Sequence, residues 1–340
     1  MKTMGRRQAI TMQEIARIAG VSQSTVSRVL NGKGSVDPHM QAAVLKVIED
    51  LNYFPNAAAQ GLVSGRTRSI GVLTRYLSSP FFDDILRGIA TGLTTQGYLS
   101  IMVQGSEVPN EDANILNLIL SRQVEGLIVQ AGNQIMDTYF QQLSMQIPLI
   151  VMGRRVPHLE EQCVYVDSHA AAYRATAYLI EKGHTDIAHI GGQPMLASAL
   201  ERREGYCRAL EDHGLRIDPA LIVEGDFTES SGTLATEKLL ARRRQHPFSA
   251  IFVANDQMVI GCRLALYRQN IAVPDEISLV GFDDQPHSRY MLPPLTTVRL
   301  PAYQMGVIAA QGILALIAGK RLQLPELSLE LIVRESVSIR

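Results

Sequence analysis

Two sets of residues in this chain have the types and spacing for recognition chemistry. The first is Ser22-Gln23-Ser24-Thr25, followed by Ser27 and Arg28. A glutamine amide pairs bidentately with adenine and an arginine fork with guanine, so this face suits the edges of base pairs. The second set follows a series of short apolar runs: Phe81-Phe82-Asp83-Asp84, Gly153-Arg154-Arg155, Glu201-Arg202-Arg203, Asp226-Phe227, Asn255-Asp256 and Asp283-Asp284. Aromatic faces take the C–H side of a polyhydroxylated ring, while Asp, Asn and Arg share out its hydroxyl donors and acceptors. Each residue also has a plainer role open to it. Asp256 and Asp284 suit the capping of following segments better than ligand contact. Phe81 suits a core better than Phe82 does, and Arg155 and Arg203 suit solvent better than Arg154 and Arg202.

The first set needs a helix to display it. Thr11 stands three residues before Glu14, the spacing of a capping box. Ile15, Ala16, Ile18 and Ala19 then give a first helix its apolar face. Gly20 ends that helix, Val21 anchors the turn, and Ser22 caps a second helix to Leu30, with Val26, Val29 and Leu30 inward. Asp37 caps a third helix with Pro38 at its first position, and Val44, Leu45, Ile48 and Leu51 form its expected buried stripe. Two short helices about a glycine turn are the helix-turn-helix pattern, although a plain helical hairpin with a solvated face has the same outline. Residues 56–65, NAAAQGLVSG, have room for about two helical turns, too few to be stable alone. By composition they are a linker.

The second set needs strands. Apolar runs at 69–74, 99–105, 126–131, 148–153, 164–168, 187–192, 221–227, 250–256, 277–284, 296–300 and 329–335 alternate with amphipathic helical stretches. That alternation predicts parallel sheets covered on both faces, and eleven strands divide best between two lobes. In such sheets the crevice lies beyond the carboxyl ends of the strands, where the second set falls.

Bulk properties narrow the class. Three hundred and forty residues exceed one compact core. Residues 1–68 carry nine Lys/Arg against four acids, a net +5, which leaves −6 for the remainder of a chain whose total is −1. A basic head on an acidic body suits a head that meets phosphate and a body that does not. Three well-separated cysteines (Cys163, Cys207 and Cys262) show neither metal spacing nor a disulfide framework, which points to the reducing cytoplasm. No export signal or membrane-spanning run is legible. Nor is any Gly-x-Gly-x-x-Gly after a strand, Walker loop, His-Glu-x-x-His or Gly-x-Ser-x-Gly, and the eight histidines show no ligand spacing. No enzyme, cofactor or metal is expected.

The stretches AGVSQSTVSRVLN, Val36 and Pro38, LNYFPN at 51–56 and AQGL at 59–62 resemble the lactose-repressor and galactose-repressor family of bacterial regulators. FVANDQM (252–258), VGFDD (280–284), RREGY and GDF carry the resemblance through the body. It implies an α/β protein: a helix-turn-helix head (1–55), a hinge helix and linker (56–68) and a two-lobed body like a periplasmic binding protein (69–340). The N-lobe would take 69–167 and 299–327, the C-lobe 168–298 and 328–340. It implies DNA contacts from Thr11, Ser22, Gln23, Ser24, Thr25, Ser27, Arg28 and Asn31. In the hinge, Asn56, Ala59 and Leu62 would join them, with Leu62 wedging a minor-groove step. Effector contacts would come from Phe82, Asp84, Arg154, Arg202, Phe227, Asn255 and Asp283. Gly153-Arg154 departs from members with an acidic residue or Asn before the arginine, so the effector is not named by analogy. The function implied is a transcriptional repressor of palindromic operator DNA, switched by a small sugar-like effector. A purine-responsive regulator and a cytoplasmic sugar-binding module are the alternatives. The chain stops at Arg340 without a heptad tail, so a homodimer is expected.

Overall fold

The computed structural model describes residues 10–31, 35–53, 66–75, 77, 80–106, 108, 111–130 and 135–340. The hinge residues Asn56, Ala59 and Leu62 lie outside the described residues. The chain forms two compact units, Met1–Thr67 and Arg68–Arg340.

The first unit contains α1 (Met12–Ala19), α2 (Gln23–Asn31) and α3 (Pro38–Asp50). The Thr11 hydroxyl accepts the Glu14 N–H at 3.2 Å, and Gly20 takes the left-handed conformation that closes α1. Ser22 accepts from the Thr25 N–H at 3.1 Å, and Asp37 from the N–H groups of His39 and Met40. Each expected cap is therefore in use. Ile15, Ala16, Val26, Val44 and Val47 form the buried core. Two expected core residues face out instead, Ile18 at 47% and Leu45 at 50% exposure. The reason is angular. Val44, Val47, Ile48 and Leu51 follow the i, i+3, i+4, i+7 stripe, and Leu45 lies about 100° off it.

The second unit holds two sheets. The first comprises β1 (Ser69–Thr74), β2 (Leu99–Gln104), β3 (Gly126–Gln130), β4 (Leu149–Met152) and β5 (Cys163–Val164), in the order β2-β1-β3-β4-β5, all parallel. Between them run α4 (Pro80–Thr94), α5 (Glu111–Leu120) and α6 (Asp137–Ser144). The second comprises β6 (Ile187–Gly191), β7 (Ile222–Glu224), β8 (Ala250–Val253), β9 (Ser278–Asp283), β10 (Thr296–Arg299) and β11 (Glu330–Ile332), ordered β11-β10-β9-β8-β6-β7. Its helices are α7 (Ser168–Glu181), α8 (Ala197–Asp212), α9 (Glu229–Arg242) and α10 (Asp256–Arg268), while α11 (Ala302–Ile317) returns to pack on α4 of the first sheet.

Two local readings are corrected. β11 pairs antiparallel with β10, because the chain returns to the second sheet after its excursion through α11 and enters from the opposite end. β5 is only two residues long, since Asp167 leaves the strand to cap α7 by accepting the Ala170 N–H at 2.8 Å. The central strands β3, β4, β6, β8 and β9 are buried on both faces, as continuous apolar runs require, while β2, β7 and β11 at the sheet edges are partly exposed.

Where α11 meets α4, glycine faces glycine. A Cβ on Gly306 would overlap the Ile85 carbonyl, and one on Gly88 the Tyr303 carbonyl. Neither backbone can retreat without lifting a helix off the sheet. Gly306→Ala should therefore destabilise the body by about 1–3 kcal/mol, read as a lowered urea midpoint with an unchanged slope. Gly319→Ala, with open space around it but a left-handed backbone, should cost less.

Candidate functional site

In the head, α2 keeps Val26 for the core and turns Gln23, Ser24 and Arg28 fully outward, with Thr25 and Ser27 half-exposed. The Ser22 hydroxyl lies 2.7 Å from that of Ser24 and 2.8 Å from that of Thr25, so the start of the helix presents linked hydroxyls. Asn31 closes α2. An outward Gln and Arg beside short hydroxyl side chains on one helix suit base edges and phosphate.

In the body, the strand order doubles back beside β1 in one sheet and beside β6 in the other. These are the switch points at which open parallel sheets leave a crevice. Arg75 follows β1, Gln193 follows β6, and the Arg75 Nη2 donates to Gln193 Oε1 at 2.8 Å across the gap. A cavity of about 360 Å³ opens there, lined from the first lobe by Arg75, Phe81 and Phe82. Its second-lobe wall includes Gln193, Arg202, Phe227, Asn255, Asp283 and Gln285. A second cavity of about 120 Å³ shares Phe81, Phe82 and Arg202 and runs toward Met152, Arg154 and Met305.

Asp283 and Arg202 dominate the polar wall. Arg202 is 6% exposed, donates to the Ala254 carbonyl, lies 3.6 Å from Asp283 and stacks 3.8 Å above the Phe282 ring. Asp283 ends β9 at φ 108°, a conformation that costs energy for any side chain other than glycine and is common at binding sites. Burial pushes its carboxyl up to about 6 against the pull of Arg202. Arg202 Nε, Asp283 Oδ1 and both amide atoms of Gln285 are buried without a hydrogen-bond partner in the protein. Such groups are costly unless a polar ligand or water meets them.

Behind this wall lies Asp256. It is wholly buried and accepts from the Gln285 N–H at 3.0 Å, the Ser288 hydroxyl at 2.5 Å and the Thr297 hydroxyl at 2.6 Å. One carboxylate thereby ties the start of α10, the turn after β9 and strand β10 together, and holds Gln285 beside Asp283. Its role is structural. So is that of Asp284, which points away from Asp283 into Arg334 at 2.6 Å and Arg299 at 2.8 Å.

Phe82, Arg202, Phe227, Asn255 and Asp283 are brought together on the main cavity, and Arg154 on the smaller one. Asn255 already caps α10, accepting the Met258 N–H and donating to the Phe227 carbonyl, so it steadies Phe227 as well as lining the wall. Arg154 turns its Nη2 onto the Ile135 carbonyl and Asp137, while its Nε is buried without a hydrogen-bond partner in the protein. Asp84 does not line either cavity. Two residues on from Phe82 a helix has turned about 200°, and Asp84 pairs with Arg87 at 2.7 Å on the outer side of α4. Sequence reasoning missed Arg75, Gln193 and Gln285. The first two immediately follow the opening strands of the two sheets, and that position was the available signal.

The chain matches two family descriptions, "Bacterial regulatory proteins, lacI family" over residues 11–56 and "Periplasmic binding protein-like domain" over 176–337. It is 34% identical over 333 residues to the HTH-type transcriptional regulator GalR of Escherichia coli (strain K12), covering 96% of each chain. Among solved structures it is similar to the lac repressor dimer bound to operator and the anti-inducer ONPF, with a TM-score of 0.88 and 26% identity over 97% of this chain and 100% of that one. The transcriptional regulator CelR in complex with cellobiose aligns with a TM-score of 0.71 and 31% identity, covering 96% and 99%.

Burial, followed by the charge of Asp283, pushes the Asp256 carboxyl up to about 7. A carboxyl raised in the folded state stabilises the fold below its unfolded pKa, and that contribution is lost as pH rises through the folded value. Body stability should therefore fall between about pH 4 and pH 7. Asp256→Asn should flatten that fall, as measured by thermal unfolding at half-unit pH steps.

Proposed function

The chain belongs to the lacI family of bacterial regulatory proteins, and from that membership and the geometry of its cleft we propose how it works. It is a DNA-binding transcriptional regulator of the repressor type. The head reads operator DNA through α2, with Gln23 and Arg28 on base edges and the hydroxyls of Ser22, Ser24 and Thr25 beside the backbone. Thr11, Ser27 and Asn31 complete that surface. Residues 56–68 serve as the hinge, where Asn56, Ala59 and Leu62 meet the minor groove. The body, 69–340, binds the effector between an N-lobe (69–167 and 299–327) and a C-lobe (168–298 and 328–340).

The observation that carries the effector reading is the pairing of Asp283 with Arg202 beneath three aromatic rings, Phe81, Phe82 and Phe227, with buried donors and acceptors left unmet. That combination suits a sugar, whose hydroxyls need both donor and acceptor and whose ring has an apolar face. The lac repressor and CelR structures, with operator and with cellobiose, agree in kind. The ligand shifts operator affinity only by its differential affinity for two arrangements of the lobes, and the Arg75–Gln193 bond is one contact that such a shift alters. The cytoplasm is the natural compartment for this activity.

A dimer follows from the reading of a palindrome and has a face to form on. Ile260, Leu264 and Tyr267 make an exposed i, i+4, i+7 stripe on α10, with Leu234 exposed on the adjacent α9. Leu264→Asp should shift the protein toward monomer in sedimentation at micromolar concentration and weaken palindrome binding, while leaving the fold intact by circular dichroism.

The function itself is tested by selecting operator sequences in vitro and screening sugars and nucleosides for release of the full-length protein from the selected DNA. A palindrome released by a sugar is the expected result. Release by a purine alone would replace the sugar reading, and the lack of any preferred, salt-sensitive DNA site would remove the regulator reading. Asp283→Ala should hold operator at the wild-type midpoint yet lose release by ligand.

A further inference from the structure

One ring in the wall of the main cavity is held in a backbone conformation that its size disfavours. Phe227 follows β7 at φ 72°, in the left-handed region that costs energy for a bulky side chain. Three hydrogen bonds keep it there. The Asp226 N–H donates to the Ser231 hydroxyl at 3.0 Å, the Thr228 N–H to the Asp226 carboxylate at 2.9 Å, and the Asn255 amide to the Phe227 carbonyl at 3.1 Å. The backbone is therefore fixed on both sides of the ring. The side chain borders the cavity of about 360 Å³, with the Arg202 guanidinium 5.8 Å from the ring centroid.

The ring rests on Gly192, the residue after β6. A Cβ there would overlap the ring's outer edge, and the three atoms nearest to it, Cζ and both Cε carbons, all belong to Phe227. The commonest reason for a glycine does not apply. Gly153 and Gly214 take left-handed backbone, whereas Gly192 does not. The preceding Gly191 differs as well, since a Cβ there would meet the His189 ring at an ordinary 3.4 Å. Gly192 is bare on account of the ring.

Resting on the effector reading above, we infer that Gly192, which does not itself line the cavity, is a positioning residue that sets the effector specificity of the cleft. Lacking a side chain, it lets Phe227 lie back and so fixes the depth of the cavity. Carbon atoms pack at about 3.5–4.0 Å, so one added methyl group would drive the ring edge forward by more than about 1 Å. With its backbone held, Phe227 answers by rotating its side chain, and the space beside it is the cavity. A misfit of one methylene against an apolar wall costs about tenfold or more in binding.

The test compares the full-length wild type, Gly192→Ala, Phe227→Leu and the double variant. Each is titrated by calorimetry with the methyl glycosides of glucose, galactose and mannose, with cellobiose and with adenosine, and the first two are also crystallised. Gly192→Ala should weaken whichever of these compounds binds the wild type by at least tenfold, and its crystal structure should show the Phe227 ring turned into the cavity over an unchanged backbone. Leucine at 227 lacks the ring carbons that reach Gly192, so in that background the added alanine should change affinity by less than twofold. An equal loss in both backgrounds, a ring that keeps its place in the Gly192→Ala crystal, or failure of both alanine variants to fold would assign Gly192 to the fold and overturn the inference. Should adenosine bind and no sugar, the sugar reading falls, while the same comparison made with adenosine decides the role of Gly192. Binding of none of these compounds to the wild type would remove the effector reading and this inference with it.

Discussion

A carboxylate removed from water must be met by donors, and the effector lobe of this protein is arranged around one that is. Asp256, at the start of α10, gathers the Gln285 N–H and the Ser288 hydroxyl from the turn after β9 and the Thr297 hydroxyl from β10. No local interaction would bring those segments together. Once joined, they fix the turn after β9, and with it the direction in which Asp283 and Gln285 face. The rest of the cleft depends on that turn, since Arg202 is oriented by Asp283 on one side and the Ala254 carbonyl on the other. The arrangement places a strained backbone and a raised carboxyl at the proposed ligand site, so part of the cost of holding the site is met by the fold.

Topology supplies the second constraint. Both sheets use the same order about their first strand, so each leaves its crevice at the same relative place, and the two crevices face one another within the body. The chain enters the first sheet, crosses to the second after β5, returns through α11 and crosses again to β11. These connections let the lobes share a continuous apolar core while remaining two sheets. Coupling between the ligand and the rest of the molecule then requires only that the two lobes have more than one arrangement and that the ligand prefers one of them.

The sequence by itself determined the elements and most of their chemistry. Capping residues of the head read correctly because a cap depends on a few adjacent positions: Thr11, Ser22 and Asp37 each accept the bonds their spacing allows. All eleven strands were legible as short apolar runs between helical stretches, most clearly the central ones, which are buried on both faces and so continuously apolar. The family resemblance put Asp283 rather than Asp284 on the cleft, and the structure turns Asp284 the other way, onto Arg334 and Arg299. What remained for the tertiary structure to decide were matters of angle and of long-range company. Asp84 left the cleft, and Ile18 and Leu45 left the core, because their own helices rotated them away. Arg75 and Gln193 entered the cleft because two strands 118 residues apart in sequence end side by side. Asp256 became the support of the site only through Thr297 and Ser288, and hydrogen bonds across 41 and 32 residues leave no trace in local pattern.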